Sequence, residues 1–251
     1  IPNKINLLSR YLHKDNKQFT LDDIIAHSTY LHGIAVIKLL EQTGYNASQI
    51  NVVGYHGQAM YHQPTENISI IVGNGKALAE QTGITVVNDF RSCDIAAGGT
   101  GAPFAPLFHQ ALAMRDNTPC VVVNCGGIAN ITIIKNDNPL DLIAFDTGPG
   151  NALIDRLVTQ RTHGRERMDR DGQYGLRGRV NQHVMHALKQ RAIIKKGENY
   201  FDLAPPKALD FGDIHFVDEL NALSIEDACA TLAAFTADSI VRSLDLIDEQ
   251  I

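Results

Sequence analysis

An aspartate follows an apolar run in the segment 145–151, which reads Phe-Asp-Thr-Gly-Pro-Gly-Asn. The pattern predicts that Asp146 lies at the end of a strand and that a tight turn leads into a helix capped by Asn151. Glycines let the backbone approach a sugar or a phosphoryl group, and the N–H groups of a helix N-terminus attract an anion. The same pattern is also typical of a structural Asx turn before a capped helix. Asp146 is therefore either a reacting carboxylate or a turn residue.

A second group of charged residues follows the apolar run 84–87. Arg91 is flanked by Asp89 and Asp94, and a glycine-rich loop comes directly after them. A guanidinium binds a carboxylate through two parallel hydrogen bonds, and the two acids are suited to fix the guanidinium or to bind sugar hydroxyls. The alternative is an exposed ion pair with no ligand. We favour ligand binding, because charges beside a glycine loop rarely serve packing alone.

Paired glycines follow another apolar run, the segment 120–124. Gly126 and Gly127 are suited to bind a phosphate through their backbone amides. Paired glycines also occur at β-bulges and where strands cross closely. The pattern alone does not decide between a phosphate site and a structural role.

Two further segments contain weaker candidates for functional residues. His56 and Gln58 follow the apolar run 50–53, and their side chains are suited to bind sugar hydroxyls, although a histidine near a strand end is more often structural. Lys207 follows two prolines that stiffen the approach to it, and its alternative is an ordinary solvated lysine.

Short strands and amphipathic helices must position these residues. Thr20 with Asp23 predicts a helix that starts with a capping box and ends at Gly44, and Ser224 with Asp227 predicts another long helix. Apolar runs predict strands over 50–53, 68–72, 84–87, 120–124, 131–134 and 142–145, and periodicity predicts helices over 76–81, 151–160 and 180–194. Antiparallel strands joined by tight turns favour a mixed sheet. A domain boundary is expected near Gly83.

Composition excludes several classes of protein. The 251 residues carry a formal net charge of -6, which argues against a broad nucleic-acid-binding surface. No apolar stretch reaches the length of a membrane span, and residues 1–18 are too polar for a signal peptide, so we expect a cytoplasmic protein with no membrane partner. The 4 cysteines are expected to be reduced, and the 10 histidines lack companion ligands at metal-binding spacing, so no dedicated metal site is predicted.

Taken together, five segments resemble the anhydro-N-acetylmuramic acid kinase family in their order and approximate spacing. They are 54–58, 82–91, 101–103, 124–130 and 145–151. The resemblance implies an α/β, ribonuclease H-like fold of the actin/hexokinase type, with mixed sheets flanked by helices and two lobes around a cleft. Residues 1–82 are expected to form part of the first lobe and residues 83–251 the second lobe, with both ends of the family's chain missing.

The resemblance also implies a reaction. Such enzymes use ATP and Mg²⁺ to hydrolyse the 1,6-anhydro bond of 1,6-anhydro-N-acetylmuramic acid while they phosphorylate O6, which yields N-acetylmuramic acid 6-phosphate and ADP in peptidoglycan recycling. Asp146 takes the place of the general base that activates the attacking water. The implied sugar-binding residues are Arg91, Asp89, Asp94, His56, Gln58, Gly148, Asn151 and Lys207, and the implied nucleotide-binding residues are Gly126, Gly127 and Asn130. The resemblance allows a homodimer.

The sequence departs from the family's pattern in several places. Nothing before Thr20 resembles the family's phosphate loop, and the chain reaches Ile251 without the expected adenosine-contacting segment. Ala59 stands where a threonine is expected, and Ala208 departs from the pattern that follows the lysine.

Two alternatives to the kinase therefore stay open. One is a non-catalytic module that binds muropeptide-derived sugars without ATP machinery. The other is a glycosidase-like set of carboxylates that opens the anhydro bond without ATP, formed by Asp89, Asp94 and Asp146.

Overall fold

The computed structural model describes residues 20–63, 68–113, 118–194, 197–209 and 213–246. The protein is a mixed α/β structure of helices and small sheets. The chain divides into two compact units, residues 1–103 and residues 104–251. We call them the first unit and the second unit.

The first unit combines helices with two small sheets. Its elements are α1 (Leu21–Thr43), β1 (Val53–Tyr55), β2 (Gln58–Gln63), β3 (Ile68–Val72), α2 (Gly75–Thr82), β4 (Val86–Asn88) and α3 (Phe90–Ala96). Strands β1 and β4 pair in parallel, so that Tyr55 lies opposite Asn88. Strands β2 and β3 form an antiparallel pair.

Helix α1 begins and ends where the sequence predicts. Thr20 Oγ1 accepts the N–H of Asp23 at 3.2 Å, and the Asp23 carboxylate accepts the N–H of Thr20 at 2.8 Å. The backbone N–H of Thr20 is the main reason that the pKa of Asp23 lies below its usual range. Gly44 ends the helix with a φ of 74°, a left-handed conformation that glycine adopts without strain. The predicted capping box is confirmed.

Strand β2 is an element that the sequence did not indicate. Most of its residues are polar or small, so no apolar run marks it. It forms because pairing with the apolar strand β3 satisfies its backbone N–H and C=O groups. Strand β1 begins only at Val53, after most of the apolar run that predicted it, because its partner β4 fixes where pairing starts.

The division between the units falls at Pro103. The sequence predicted a boundary near Gly83, and the compact units divide later in the chain. The parallel pairing of β4 with β1 keeps the chain beyond Gly83 in the first unit. The assignment of residues 1–82 and 83–251 to two kinase lobes stays a prediction.

The second unit contains, in its described residues, a three-stranded antiparallel sheet. Its elements are α4 (Ala105–Ala113), β5 (Cys120–Cys125), β6 (Ile128–Ile134), β7 (Ile143–Pro149), α5 (Ala152–Arg161), α6 (Gln182–Gln190) and α7 (Ile225–Asp245). Strand β6 is central and pairs with both β5 and β7. The predicted antiparallel strands are confirmed, but β7 continues through Pro149 instead of ending at Phe145.

Helix α7 covers one face of this sheet. Ser224 Oγ accepts the N–H of Asp227 at 3.0 Å and so caps the helix, as the sequence predicts. Ile240 packs against a small apolar cluster on the sheet that consists of Ile131, Ile133 and Phe145. The larger apolar core lies among the helices, and its fully buried side chains include Val158, Val184, Leu188, Tyr200, Leu232 and Phe235. Each buried side chain of this size contributes about 1.5–3 kcal/mol to stability.

Among the described residues, no helix combines the length and the apolar character that a membrane span needs.

We expect Thr236→Val to lower the free energy of unfolding by about 1–2 kcal/mol. The buried Thr236 hydroxyl donates to the carbonyls of Pro149 at 2.8 Å and Gly150 at 3.1 Å, and valine leaves both without this donor. Thr43→Val is the matched control, because the exposed Thr43 hydroxyl bonds within its own helix, and we expect a change below about 0.5 kcal/mol. Urea unfolding measures both values, and equal losses would contradict the anchoring role of Thr236.

Candidate active site

Asp146 lies in the middle of β7 and not at a strand end. Asn130 of β6 is opposite Asp146, but the preceding residue Ala129 is opposite Gly148, so Thr147 is the extra residue of a β-bulge. The buried Thr147 hydroxyl donates to the Ala129 carbonyl at 3.2 Å. A bulge changes the direction of neighbouring side chains and is common beside active sites. The turn-residue interpretation of Asp146 is therefore wrong, and the predicted strand end is corrected to a bulge.

The Asp146 carboxylate is half-buried and receives a backbone hydrogen bond. Its Oδ2 atom accepts the N–H of Leu209 at 2.8 Å. Burial raises the pKa of Asp146 above its usual range, and the bond from Leu209 opposes part of that rise. Carboxylates with a raised pKa are suited to accept a proton near neutral pH. The side chain therefore has the electrostatic character of a general base.

The backbone of Asp146 is also bound by the segment that contains Lys207. The N–H of Asp146 donates to the Lys207 carbonyl at 3.1 Å, and the Tyr200 hydroxyl donates to the Asp146 carbonyl. Neither Tyr200 nor Leu209 was predicted from the sequence as a neighbour of Asp146. No local pattern could have indicated them, because both reach Asp146 from a distant part of the chain.

Lys207 is buried, with only 8% of its surface exposed. Its ammonium donates to the Tyr200 carbonyl at 3.1 Å and lies 4.6 Å from the centre of the Tyr200 ring. Burial lowers the pKa of Lys207, and the charge of Asp202 opposes this effect. The interpretation of Lys207 as an ordinary solvated lysine is therefore wrong.

The turn between β5 and β6 contacts the start of α5 through its carbonyls. The N–H groups of Gly150 and Ala152 donate to the Gly127 carbonyl at 2.9 and 3.1 Å, and the N–H of Asn151 donates to the Gly126 carbonyl at 2.8 Å. The sequence predicted that this helix N-terminus offers its N–H groups to an anion. For these three groups the prediction is wrong, because protein carbonyls already accept their hydrogen bonds.

The predicted nucleotide-binding residues lie around the same turn. The Gly126 N–H donates to the Ile128 carbonyl at 3.2 Å, so this amide is already used. Gly127 lines a small crevice, together with Ile128, Pro149, Ala152, Leu153, Leu209 and Ile214. Asn130 is half-buried and lies opposite Asp146 in the sheet.

Gly148 and Asn151 follow Asp146 in the chain. A Cβ atom at Gly148 would lie 2.9 Å from Ser239 Cβ, so a glycine is required where α7 packs against β7. Asn151 is the N-cap residue of α5, as predicted, but its side chain makes no capping bond. Its amide instead donates to the Cys125 carbonyl at 3.4 Å.

In the first unit, a histidine orients Arg91. The Arg91 Nε–H donates to His56 Nε2 at 3.1 Å, and His56 Nδ1 lies 2.9 Å from the Gly57 carbonyl oxygen. Because an arginine nitrogen can only donate, His56 Nε2 must accept, and Nδ1 must carry the proton donated to Gly57. His56 is therefore a neutral imidazole that holds the guanidinium in place.

The two acids near Arg91 have different surroundings. Asp94 Oδ2 accepts the N–H of Gly101 at 2.7 Å, so this carboxylate holds the glycine-rich loop. Asp89 has a left-handed backbone, with a φ of 59°, and lines an open cleft of about 250 Å³. The other residues of this cleft are Tyr55, His56, Gly57, Ser69, Ile71, Gly73 and Asn88. Among these described residues, Arg91 forms no ion pair with either acid, and its guanidinium is instead bonded to His56.

Two further polar residues of β2 belong to the same unit. Gln58 is exposed, and its amide donates to the Ala59 carbonyl at 3.3 Å. His62 lies on the same strand as Gln58. Burial is the main cause that lowers the pKa of His62, and the charge of Arg91 lowers it further. Within the described chain, no group of three or more potential metal ligands occurs.

Comparison with known proteins gives one family. The sequence profile described as Anhydro-N-acetylmuramic acid kinase matches residues 12–250. Relatives named anhydro-N-acetylmuramic acid kinase include one from Paramagnetospirillum magneticum, 40% identical over 214 residues, which are 84% of this chain and 57% of the relative. A relative from Zymomonas mobilis is 40% identical over 233 residues, 91% of this chain and 61% of the relative. A third, from Nitrobacter winogradskyi, is 42% identical over 226 residues, 87% of this chain and 57% of the relative. This chain therefore spans less than two thirds of the length of these relatives.

We expect Gly150→Ala to lower the free energy of unfolding by about 2 kcal/mol or more. A Cβ atom at Gly150 would lie 2.1 Å from the Gly126 carbonyl oxygen, and the backbone at this contact must shift to relieve the clash. Gly126→Ala is the matched control in the same pair of turns, because its nearest contact would be 3.6 Å away, at the Ile128 carbonyl oxygen.

Thermal or urea unfolding of the two alanine variants tests this contact. The control should lose less than about 1 kcal/mol. A Gly150→Ala variant as stable as the control would show that the two turns are not in close contact.

Proposed function

We infer the function of this chain from one premise, that it belongs to the anhydro-N-acetylmuramic acid kinase family. We propose that it acts in a carbohydrate kinase that hydrolyses the 1,6-anhydro bond of 1,6-anhydro-N-acetylmuramic acid and phosphorylates O6 with ATP. The products are N-acetylmuramic acid 6-phosphate and ADP, which places the reaction in peptidoglycan recycling. The observation that carries the proposal is the half-buried Asp146 carboxylate, with its raised pKa, on the bulged strand β7.

Asp146 acts as the general base. Its carboxylate takes a proton from the water that attacks the anomeric carbon, and the bond between that carbon and the bridging oxygen breaks. The bridging oxygen becomes the O6 nucleophile and forms a bond to the γ-phosphorus while the bond to the ADP oxygen breaks. ATP supplies the phosphoryl group, and Mg²⁺, when bound, would supply positive charge that offsets the negative charge developing during the transfer.

The residues around the β5–β6 turn fit a nucleotide in part. The Gly126 amide does not fit a phosphate cradle, because it already donates to Ile128. Gly127 in its small crevice and the half-buried Asn130 are the better candidates to contact ATP. The described residues include no cluster of three or more potential metal ligands, so we assign no protein ligand to Mg²⁺.

Arg91 binds the lactyl carboxylate of the sugar. Its Nε–H is held by His56, so the remaining guanidinium nitrogens are oriented for a bidentate pair with a carboxylate. Asp89, which lines the open cleft, and Gln58 are suited to bind sugar hydroxyls. Asp94 contributes indirectly, through the loop that it holds at Gly101. Gly148 and Asn151 stay candidates for sugar contacts beside Asp146.

The family resemblance also supports a fold proposal. We propose a ribonuclease H-like, actin/hexokinase-type fold with two lobes, in which residues 1–82 belong to the first lobe and residues 83–251 form the second. The antiparallel strands β5, β6 and β7, followed directly by α5, support this assignment for the second unit. A cytoplasmic location and a homodimer stay predictions.

We expect Asp146→Asn to lower kcat about 100-fold or more while the KM for the sugar changes less than about threefold, because the amide cannot accept the proton from water. The matched control is Asp155→Asn on α5. Burial raises the pKa of Asp155 too, but this residue has no role in the proposed reaction, so near-normal turnover is expected. Coupled detection of ADP measures both variants.

The wild-type pH profile provides a second check on the same residue. The base must be ionised, and burial raises its pKa, so kcat/KM should fall with decreasing pH at a higher value than an ordinary aspartate would give. Full turnover by Asp146→Asn would show that Asp146 is not the general base. Sugar opening at the normal rate without ATP would favour the glycosidase alternative, and sugar binding without any turnover would favour the non-catalytic module.

We expect Arg91→Lys to raise the KM for 1,6-anhydro-N-acetylmuramic acid about tenfold, since a lysine cannot form the bidentate pair. The control is a substrate, 1,6-anhydro-N-acetylglucosamine, which lacks the lactyl group. The wild type and the variant should use this sugar equally well. A tenfold loss with both sugars would show that Arg91 acts elsewhere than on the lactyl carboxylate.

A further inference from the structure

We propose that the segment 200–209, which we call the strap, positions Asp146 for proton transfer. In this proposal Lys207 holds the two ends of the strap together. This inference rests on the proposed function, in which Asp146 activates water. Lys207 is then a positioning residue that acts through Asp146, and its ammonium does not contact the sugar.

The strap binds Asp146 at three points. The Asp146 N–H donates to the Lys207 carbonyl at 3.1 Å, and the Asp146 carbonyl accepts the Tyr200 hydroxyl. The side chain is bound as well, because Leu209 donates its N–H to Oδ2 at 2.8 Å. Fixing one carboxylate oxygen and both backbone groups also fixes where the other oxygen, Oδ1, lies. Proton transfer depends strongly on such orientation.

Lys207 connects the two ends of the strap. Its carbonyl accepts from Asp146, while its ammonium donates to the Tyr200 carbonyl at 3.1 Å and lies over the Tyr200 ring. Burying an ammonium is costly unless the group is hydrogen-bonded, and this residue is only 8% exposed. A lysine that served a sugar would present its ammonium to the ligand. The buried bond to Tyr200 indicates an internal role instead.

Aromatic contacts anchor the strap in the core of the second unit. Tyr200 is completely buried. Its ring contacts Phe201 edge-on at 5.8 Å between centroids, and Phe201 contacts Phe235 of α7 at 5.7 Å. These contacts therefore hold the strap, and the Asp146 groups bonded to it, against the helical core.

Lys207→Met tests the proposal, because methionine keeps the length and apolar stem of the side chain but removes the ammonium. We expect kcat to fall about tenfold while the KM for the sugar changes less than about twofold. The Leu209 N–H lowers the pKa of Asp146, so a loosened strap should raise that pKa and move the acid limb of kcat/KM to higher pH. Titration of ¹³C-labelled aspartate by NMR, with the Asp146 signal assigned by its loss in Asp146→Asn, measures the same pKa without turnover.

The matched control is Lys189→Met. Lys189 is also partly buried in the second unit, and its ammonium pairs with Asp238 at 2.7 Å, on helices that do not contain Asp146. This variant should keep the wild-type kcat, acid limb and Asp146 titration. A rise in the sugar KM with unchanged kcat in Lys207→Met would overturn the proposal in favour of a sugar contact, and an unchanged Asp146 pKa would overturn it outright.

If Lys207→Met does not fold, Tyr200→Phe tests whether the strap positions Asp146. This change keeps the aromatic ring and removes only the hydroxyl that donates to Asp146. We expect kcat to fall at least about threefold at constant KM, and wild-type kinetics would overturn the strap. If the wild-type protein shows no anhydrosugar kinase activity, the proposed function fails, while the NMR titration of Asp146 still tests the strap separately.

Discussion

Three hydrogen bonds join the turn at Gly126 and Gly127 to the start of α5, directly after the strand that carries Asp146. They hold the end of β7 against the turn between β5 and β6, so β7 leaves the sheet in a fixed direction. Their donors are the N–H groups of the helix N-terminus and their acceptors are protein carbonyls. The N–H groups at the positive end of the helix dipole are thus partly satisfied within the protein. Recognition of an anionic ligand has to rest on other groups.

Local signals in the sequence predicted local structure well. The capping residues Thr20 and Ser224 mark the helices α1 and α7 because a cap is formed by residues adjacent in the chain. The apolar runs likewise indicated the antiparallel strands of the second unit. Strand β2 and the bulge at Thr147 could not be predicted in this way. Both arise from pairing with another strand, and no pattern of hydrophobicity within either segment records the partner.

Residue types and their spacing did not indicate how the predicted polar residues are used in the structure. Arg91 and Asp146 have surroundings that suit a carboxylate ligand and a proton acceptor, respectively. Asp94 holds a loop, and Lys207 bonds inside the protein, although their residue types suit ligand binding equally well. Orientation depends on contacts between distant parts of the chain, so residue type and spacing alone could not distinguish a group that meets the ligand from one that supports it.

Beyond Thr147, the side chains of β7 lie on the face opposite to the one that regular alternation would give them. Phe145 pairs with Ile131 and Gly148 pairs with Ala129, so the two residues share one face although an odd number of positions separates them. Losing or gaining one residue at this bulge would move the following side chains of β7 to the opposite face of the sheet. It would bring a residue with a side chain against Ser239, where only glycine fits, with the amino-acid composition almost unchanged. A one-residue insertion or deletion in this strand is therefore expected to disturb the fold more than most single substitutions in it.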